Sequence, residues 1–283
     1  MTEEFRQGHY VLGIEGLALL RAGAQRVFGK VETRAEEIRE VASQLDQPPY
    51  SERRDLPEVE VDSGYAQWAS DYDDPGNDTI ALEEPVVREL LGQLPDGLAL
   101  DAACGTGRHA AYLSQIRNDG VVGVDASEAM LAHARAKLPG VDFRQGELTS
   151  LPLDDGEVAG AVCALALSHL PELGPAIAEL GRVLRPGGRL VVSNPHPLAT
   201  AILGWRAVFV DSQGQRAMIP EFPHLHGEYV EAFGEAGLTA RRCVEPLLSA
   251  EQARARSRKH RTDAFEDALT GVPAVIVWEA ERS

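Results

Sequence analysis

Leu98-Ala-Leu-Asp-Ala-Ala-Cys-Gly-Thr-Gly107 decides how this chain folds. Its apolar start reads as a short strand that ends at an acid, Asp101, and opens into a turn carrying Gly105 and Gly107. A second apolar run, Val121-Val-Gly-Val124, ends at a second acid, Asp125. Strand, glycine turn, helix, strand and acid is how a doubly wound sheet holds an adenosine-containing ligand. The glycines let backbone amides approach such a ligand, and the acid at the second strand's tip accepts hydrogen bonds from ribose hydroxyls.

Outward from this unit the chain alternates between strand and helix patterns. A helix is predicted from Glu84 to Leu94, then a strand from Leu98 to Ala102, a helix from Arg108 to Ile116 and a strand from Val121 to Asp125. Ser127 can cap a helix to Leu138 that buries Met130, Leu131, Ala134 and Leu138. Val141 to Arg144 is a third strand, and the unbroken apolar run Val158 to Leu165 is a central strand buried on both faces. A helix from Ala176 leads through Arg185-Pro-Gly-Gly188 into a fifth strand, Leu190 to Ser193. A helix from Tyr229 to Ala236 and strands Leu238 to Val244 and Ala274 to Glu281 close the chain, the last two antiparallel at one edge. The fold class is α/β: a doubly wound, seven-stranded, mostly parallel sheet.

Two regions break this alternation. Residues 1–62 read as a helical extension, with helices over Tyr10 to Gln25 and Val31 to Leu45 and a charged linker to Asp62. The second helix lines Ala35, Ile38, Val41 and Leu45 along one face. The apolar faces of these helices allow a homodimer. The stretch 194–227 is too long for a plain connection. Ala207 to Val210 and Ala217 to Pro220, either side of Ser212-Gln-Gly-Gln, form a hairpin pattern there. An insertion after the fifth strand lies on the ligand side of such a sheet and reads as a lid. The domains are therefore the extension 1–62 and an α/β domain 63–283 with the insertion 194–227.

The net charge of −17 sets an acidic surface against nucleic acid or an anionic membrane. The basic cluster Arg254 to Arg261 reads as a solvated helix face. Cys104, Cys163 and Cys243 have no paired spacing, so no disulfide frame or zinc site follows, and a cytoplasmic location fits. The start Met-Thr-Glu-Glu lacks the apolar core of a signal peptide. No run approaches the roughly 18 apolar residues of a membrane span.

Four ordered motifs resemble class I S-adenosylmethionine-dependent methyltransferases, with a narrower likeness to small-molecule enzymes of actinobacteria. They are Leu100-Asp-Ala-Ala-Cys-Gly-Thr-Gly107, Val122-Gly-Val-Asp-Ala-Ser127 with Met130, Gln145-Gly-Glu-Leu148 with Leu151-Pro-Leu-Asp-Asp155, and Leu184-Arg-Pro-Gly-Gly-Arg-Leu190. The resemblance covers residues 63–283 and implies a Rossmann-like methyltransferase fold with S-adenosyl-L-methionine as cofactor. Two departures stand out. Glu147 replaces the usual Asp, and Val158-Ala159 replaces the usual Phe-Asp.

The resemblance implies the following roles. Ala103, Gly105 and Gly107 let the backbone approach the ligand, and the amides opening the helix at Arg108 favour its carboxylate. Asp101 takes the ammonium end, directly or through water. Asp125, Ala126 and Met130 serve the ribose side; Gly146, Glu147 and Leu148 frame the adenine. Cys163, Ala164 and Ser168 lie by the sulfonium at the end of the fourth strand. Gly64-Tyr-Ala-Gln-Trp-Ala-Ser-Asp-Tyr72 resembles an aromatic helix over the cofactor, with Tyr65, Trp68 and Tyr72 sharing a face at i, i+3 and i+7. Tyr65 or Tyr72 caps the methionine end, and Trp68 faces the substrate.

Methyl transfer from a sulfonium needs donor and acceptor held in line and water excluded. A base is needed only where the nucleophile arrives protonated, and histidine suits that near neutral pH. His169 and His196 are the catalytic candidates, with His224 and His226 lining the acceptor pocket and no metal site. The reading is an enzyme that methylates a small-molecule acceptor at oxygen. Alternatives are carbon or nitrogen methylation of a quinone-like or natural-product acceptor, or a non-catalytic scaffold that binds S-adenosylmethionine. A nicotinamide enzyme fits less well, because Ala110 or Ala111 stands where its third glycine belongs. Asn194-Pro-His-Pro197 resembles the signature of amine methylation of bases or protein amides, but it follows the fifth strand, not the fourth, and lacks the aromatic.

Overall fold

The computed structural model describes all residues except 1–4, 54–55, 74–76, 212 and 261. The chain's acidic start, part of the charged linker, Ser212 in the hairpin turn and Arg261 in the basic cluster thus lie outside the described residues. Two compact units emerge: residues 1–56 with 247–272, and residues 57–246 with 273–283. The sequence pattern alone places the boundary after residue 62 and groups 247–272 with the second domain.

In the first unit, helices Gln7–Ala24 and Phe28–Ser43 pack together, and a short helix, Ala264–Leu269, packs on the first. Six residues are too few to show a helical period, so that element escaped sequence reading. Arg21 donates to the carbonyls of Ala268 and Thr270 and ties this helix down. Val41 is buried as expected, but so is Arg34. Its guanidinium meets Glu15 at 3.2 Å and Asp263 at 2.7 Å. Among the described residues, no helix is long and apolar enough to cross a membrane.

The second unit is built on a seven-stranded sheet. Its strands in chain order are β1 (Ala99–Ala102), β2 (Val121–Asp125), β3 (Asp142–Gln145), β4 (Val158–Ala164) and β5 (Leu184–Pro195). The hairpin follows as β6 (Ala207–Val210) and β7 (Arg216–Ile219), then β8 (Leu238–Val244) and β9 (Val275–Arg282). The sheet order is β3-β2-β1-β4-β5-β9-β8, with β6 and β7 forming a separate pair. β1 to β5 pair in parallel, and β9 runs antiparallel between β5 and β8. The last two strands thus form the antiparallel pair expected at one edge, with β9 on the inside against β5 and β8 outermost. Composition explains this. Val275 to Ala280 are all buried, whereas Thr239 to Cys243 are exposed and include Arg241 and Arg242, and charged strands suit edges.

Helices Arg108–Ile116 and Glu128–Lys137 fall where the patterns put them, the latter capped by the Ser127 hydroxyl at the Met130 amide. β1 and β4 bury every residue but the last of β4. Their apolar faces supply Leu100, Ala161 and Cys163 to one core and Ala99 and Val162 to the other.

The hairpin does not stand alone. Val59 donates to the Met218 carbonyl and Met218 to that of Pro57, so residues 57–59 extend it. Phe209, Ala217 and Ile219 then pack on Val61, Tyr65 and Trp68. The aromatic helix spans Val61–Trp68 and stops there; Tyr72 sits in the turn beyond it.

Candidate functional site

A cleft of about 220 Å³ opens beyond the carboxyl ends of β1, β2 and β4, where open α/β sheets place their ligands. Strand order reverses between β1 and β4, so the loops leaving them diverge and leave room. Ala103 and Leu165, just past these strands, hold left-handed φ of 53° and 55°. Both line the cleft. Such backbone costs about 1–2 kcal/mol per residue and persists only where its surroundings fix it.

Gly105 also lines the cleft, at φ 53°, and a Cβ there would meet open space. Its amide donates to Asp125 Oδ2 at 2.7 Å, while the Ser127 amide donates to Oδ1 at 2.9 Å. The second strand's acid is thus clamped to the glycine turn of the first. A carboxylate has about four acceptor directions, so roughly two remain for a ligand. Burial pushes the Asp125 carboxyl above its ordinary range, and the nearby charges of Asp62 and Glu147 add to that.

Most donor-side residues expected from the sequence converge on this cleft. Tyr65, Tyr72, Ala126, Met130, Gly146, Glu147, Leu148 and Ala164 line it, as does His169. Gly146 is held close: a Cβ there would sit 2.7 Å from Pro152.

Asp101, Gly107, Cys163 and Ser168 do not line it. Asp101 is buried behind the turn, its Oδ2 accepting from the Ala110 amide at 2.7 Å. Burial pushes its carboxyl up to about 6, and the Ala110 bond ties it to the first turn of the following helix. Gly107 (φ 84°) faces Ala134 and Leu138 of the neighbouring helix instead. Cys163 points into the core, because alternate strand residues face opposite ways and Ala164 takes the cleft side. Ser168 is buried, its amide donating to Asn194 Oδ1 and its carbonyl accepting from Phe222.

The acceptor-side expectations fare differently. Trp68 stacks on Phe209 of the hairpin, with ring centroids 6.0 Å apart. His224 is buried and donates from Nε2 to the Leu170 carbonyl. His196 and His226 both reach Glu245 Oε1, at 2.8 and 2.9 Å. None of these four residues lines the cleft. The triad has the composition of a metal site, but its hydrogen bonds read otherwise. His196 Nδ1 already accepts from the Leu198 amide, so Nε2 carries the proton that Glu245 receives. Coordination through Nε2 would leave that ring with no proton at all, whereas metal-bound histidines keep an N–H to donate. The arrangement suits a clamp that joins both ends of the insertion to the end of β8.

His169 is the histidine that reaches the cleft. Its Nδ1 lies 2.7 Å from the Pro220 carbonyl and its Nε2 lies 2.7 Å from the Tyr65 hydroxyl. Burial lowers its pKa, so the ring is neutral near neutral pH. Among the described residues, none of 194–227 lines the cleft; the insertion touches it through Pro220 on His169 and the hairpin behind Tyr65.

Sequence reasoning missed Asp62, Thr149, Leu165 and Ala166, which also line the cleft. Adjacency to the β4 tip could have flagged the last two. Asp62 carries no such signal, because the charged composition around it is that of a linker.

A buried network braces the turn from behind. Glu83, fully buried, accepts from Arg108 at 2.7 Å and Ser193 at 2.8 Å and meets His109 Nε2 at 3.1 Å. Burial opposes its charge, but these partners prevail and hold its carboxyl at about 2.

Comparison with known proteins agrees with this architecture. The profile of a methyltransferase domain matches residues 100–192. An uncharacterized methyltransferase of Emericella nidulans is 30% identical over 265 residues, covering 78% of this chain and 89% of its own length. A "probable S-adenosylmethionine-dependent methyltransferase" of Mycolicibacterium smegmatis is 41% identical over 113 residues, 40% of this chain. The chain spans 44% of that relative's length, and 33% of a Streptomyces fradiae transposon protein's. A crystal structure of an S-adenosylmethionine-dependent methyltransferase from Mesorhizobium loti shares the fold, with TM-score 0.56 at 23% identity, covering 71% of this chain and 98% of that one. Likeness on this scale to a whole methyltransferase, on the sheet described above, places the chain in the family of class I S-adenosylmethionine-dependent methyltransferases.

Proposed function

We propose that this chain transfers the methyl group of S-adenosylmethionine to an oxygen of a small-molecule acceptor. The observation that carries the reading is Asp125. Its carboxylate is fixed by two backbone amides, beside a left-handed glycine, on the wall of a cleft at the sheet's switch point. When bound, S-adenosylmethionine supplies an activated methyl on a cationic sulfur. The chain's own residues then have binding and orienting to do. Asp125 receives ribose hydroxyls. Glu147 and Leu148 border the adenine, with Gly146 pressed against Pro152 to shape that wall. Asp62, Asp125 and Glu147 give the cleft a negative field suited to a cation. Tyr65 and His169 mark the acceptor side, and the insertion 194–227 keeps water out by holding both in place.

A carbon methyltransferase acting on a quinone-like acceptor is the second reading. Leu198 and Ile202, 47% and 70% exposed at the start of the insertion, favour it as an apolar contact for such a molecule. Titration calorimetry tests the donor site: S-adenosylhomocysteine should bind and NAD should not. Metabolite extracts incubated with S-adenosylmethionine and the protein should yield a product heavier by one methylene. Fragmentation of that product tells oxygen from carbon. Failure of S-adenosylhomocysteine to bind would overturn the proposal.

A further inference from the structure

Tyr65, His169 and Pro220 form one directed chain of hydrogen bonds, and their directions can be read. A carbonyl oxygen only accepts, so the Pro220 contact requires the proton of neutral His169 to sit on Nδ1. Nε2 then carries a lone pair, and the Tyr65 hydroxyl 2.7 Å away must donate into it. The Tyr65 proton is thereby committed to His169, and its oxygen keeps lone pairs free on the cleft side. Tyr65 and His169 both line the cleft, near Asp125 and Ala164. We propose that Tyr65 is the group that meets the acceptor hydroxyl and that it relays the acceptor's proton to His169. This inference rests on the oxygen-methylation reading above.

The relay balances. The acceptor oxygen forms its bond to the methyl carbon as the methyl–sulfur bond breaks, and that bond's electrons stay on sulfur. The acceptor proton moves to the Tyr65 oxygen while the Tyr65 proton moves to His169 Nε2. His169 ends as imidazolium, held at Nδ1 by Pro220. The proton returns through the same hydroxyl to water once the cleft empties.

The surroundings explain why tyrosine would pass a proton and not hold a charge. Burial first, then Tyr72, Glu221 and Asp125, push the Tyr65 phenol well above its ordinary range. A phenolate is disfavoured from several sides, so the proton must leave as another arrives. Glu221 follows Pro220 directly, and its carboxyl, pushed up to about 7 by burial, accepts from the Ala207 amide at 3.1 Å. The insertion therefore fixes both the tautomer of His169 and part of the field on Tyr65. An edge-on contact between the Tyr65 and His169 rings, centroids 5.3 Å apart, holds the pair in register.

Tyr65→Phe keeps the ring and removes only the relay. With the acceptor found in the extract screen, tritium transfer from S-adenosylmethionine should slow by about a hundredfold or more, the scale of a lost acid–base group. S-adenosylhomocysteine affinity should stay unchanged. His169→Gln, which can still accept from Tyr65 but holds no proton, should slow transfer to the same degree. The wild-type rate should fall below neutrality with a midpoint under the ordinary imidazole value. Nitrogen-15 spectra of the labelled protein need no acceptor. They should show His169 protonated at Nδ1, and Tyr65→Phe should shift Nε2 toward a free lone pair. A wild-type rate in Tyr65→Phe, or a proton on Nε2, would overturn the relay alone. Loss of S-adenosylhomocysteine affinity in Tyr65→Phe would also overturn it, since the hydroxyl would then serve the donor. No S-adenosylhomocysteine binding in the wild type would sink the parent reading instead.

Discussion

Replacing Asp125 is the sharpest probe of the donor site. Its two oxygens accept from Gly105 at 2.7 Å and Ser127 at 2.9 Å, which leaves about half of its acceptor capacity for the ligand. Hydrogen bonds to a charged acceptor contribute about 1.5–3 kcal/mol each, less than additively when they share one group. Asp125→Ala should therefore cost about 2–3 kcal/mol of S-adenosylhomocysteine binding, roughly 30–150-fold in Kd. Asp125→Asn should fall between, because its amide can accept from only one of the two backbone donors and must face the other with N–H. Titration calorimetry reads both, with circular dichroism as the check on folding. The raised carboxyl pKa adds a pH signature. Protonation removes acceptor sites, so wild-type affinity should fall on acidification sooner than an ordinary aspartate would dictate. Stability must move the other way. A carboxyl raised in the folded state penalises folding above its folded pKa, and that penalty is relieved as pH falls through it. The wild type should therefore gain stability relative to Asp125→Asn in the same window where it loses ligand. An unchanged Kd in Asp125→Ala would refute the assignment.

Two further outcomes are expected. Glu83→Gln leaves the mostly buried Arg108 with only the longer contact to Glu84 at 3.8 Å and should cost about 3 kcal/mol in urea unfolding; since Glu83 is held at about 2 against an ordinary 4.5, its contribution is present above pH 4.5 and lost as pH falls toward 2, so the gap between variant and wild type should close there. Zinc added to the protein should leave its unfolding midpoint in place, because His196 has no N–H to spare at Nδ1; a rise of several degrees that Glu245→Gln abolishes would show coordination by the triad.

How much of this was legible depends on where the signal lived. The β1 turn and β2 tip were readable because apolar runs and paired glycines constrain backbone locally. Ala103 and Leu165 adopt the same left-handed backbone with no glycine to announce it. Asp101 and Asp125 look alike in sequence, each an acid at a strand end. What separates them is which amide folds back: Ala110 claims Asp101, while Gly105 and Ser127 leave Asp125 facing the cleft. The hairpin was readable from its turn. Its partners Val59 and Trp68 were not, being far away in sequence, so the insertion's role as a buttress behind the aromatic helix became visible only in three dimensions. Of the four histidines weighed, only His169 reaches the cleft; local sequence offered no way to see that His196 and His226 face each other across Glu245.

The electrostatics of the cleft bear on the rival nucleotide reading. A dinucleotide brings a pyrophosphate, which such turns receive on free helix amides and often with a basic side chain nearby. Here the Ala110 amide is already spent on Asp101, and Arg108 is bound to Glu83 at 2.7 Å. The described lining carries Asp62, Asp125 and Glu147 and neither lysine nor arginine. The raised carboxyls of Asp101 and Asp125 record first the cost of burial and, in smaller part, that of nearby negative charge. An anionic ligand would increase that cost; a sulfonium with its ammonium would relieve it, even after its own carboxylate is counted. The same residues that would repel a pyrophosphate suit a cationic nucleoside. Glycine spacing alone could not separate the two ligands, but the charge around the glycines does.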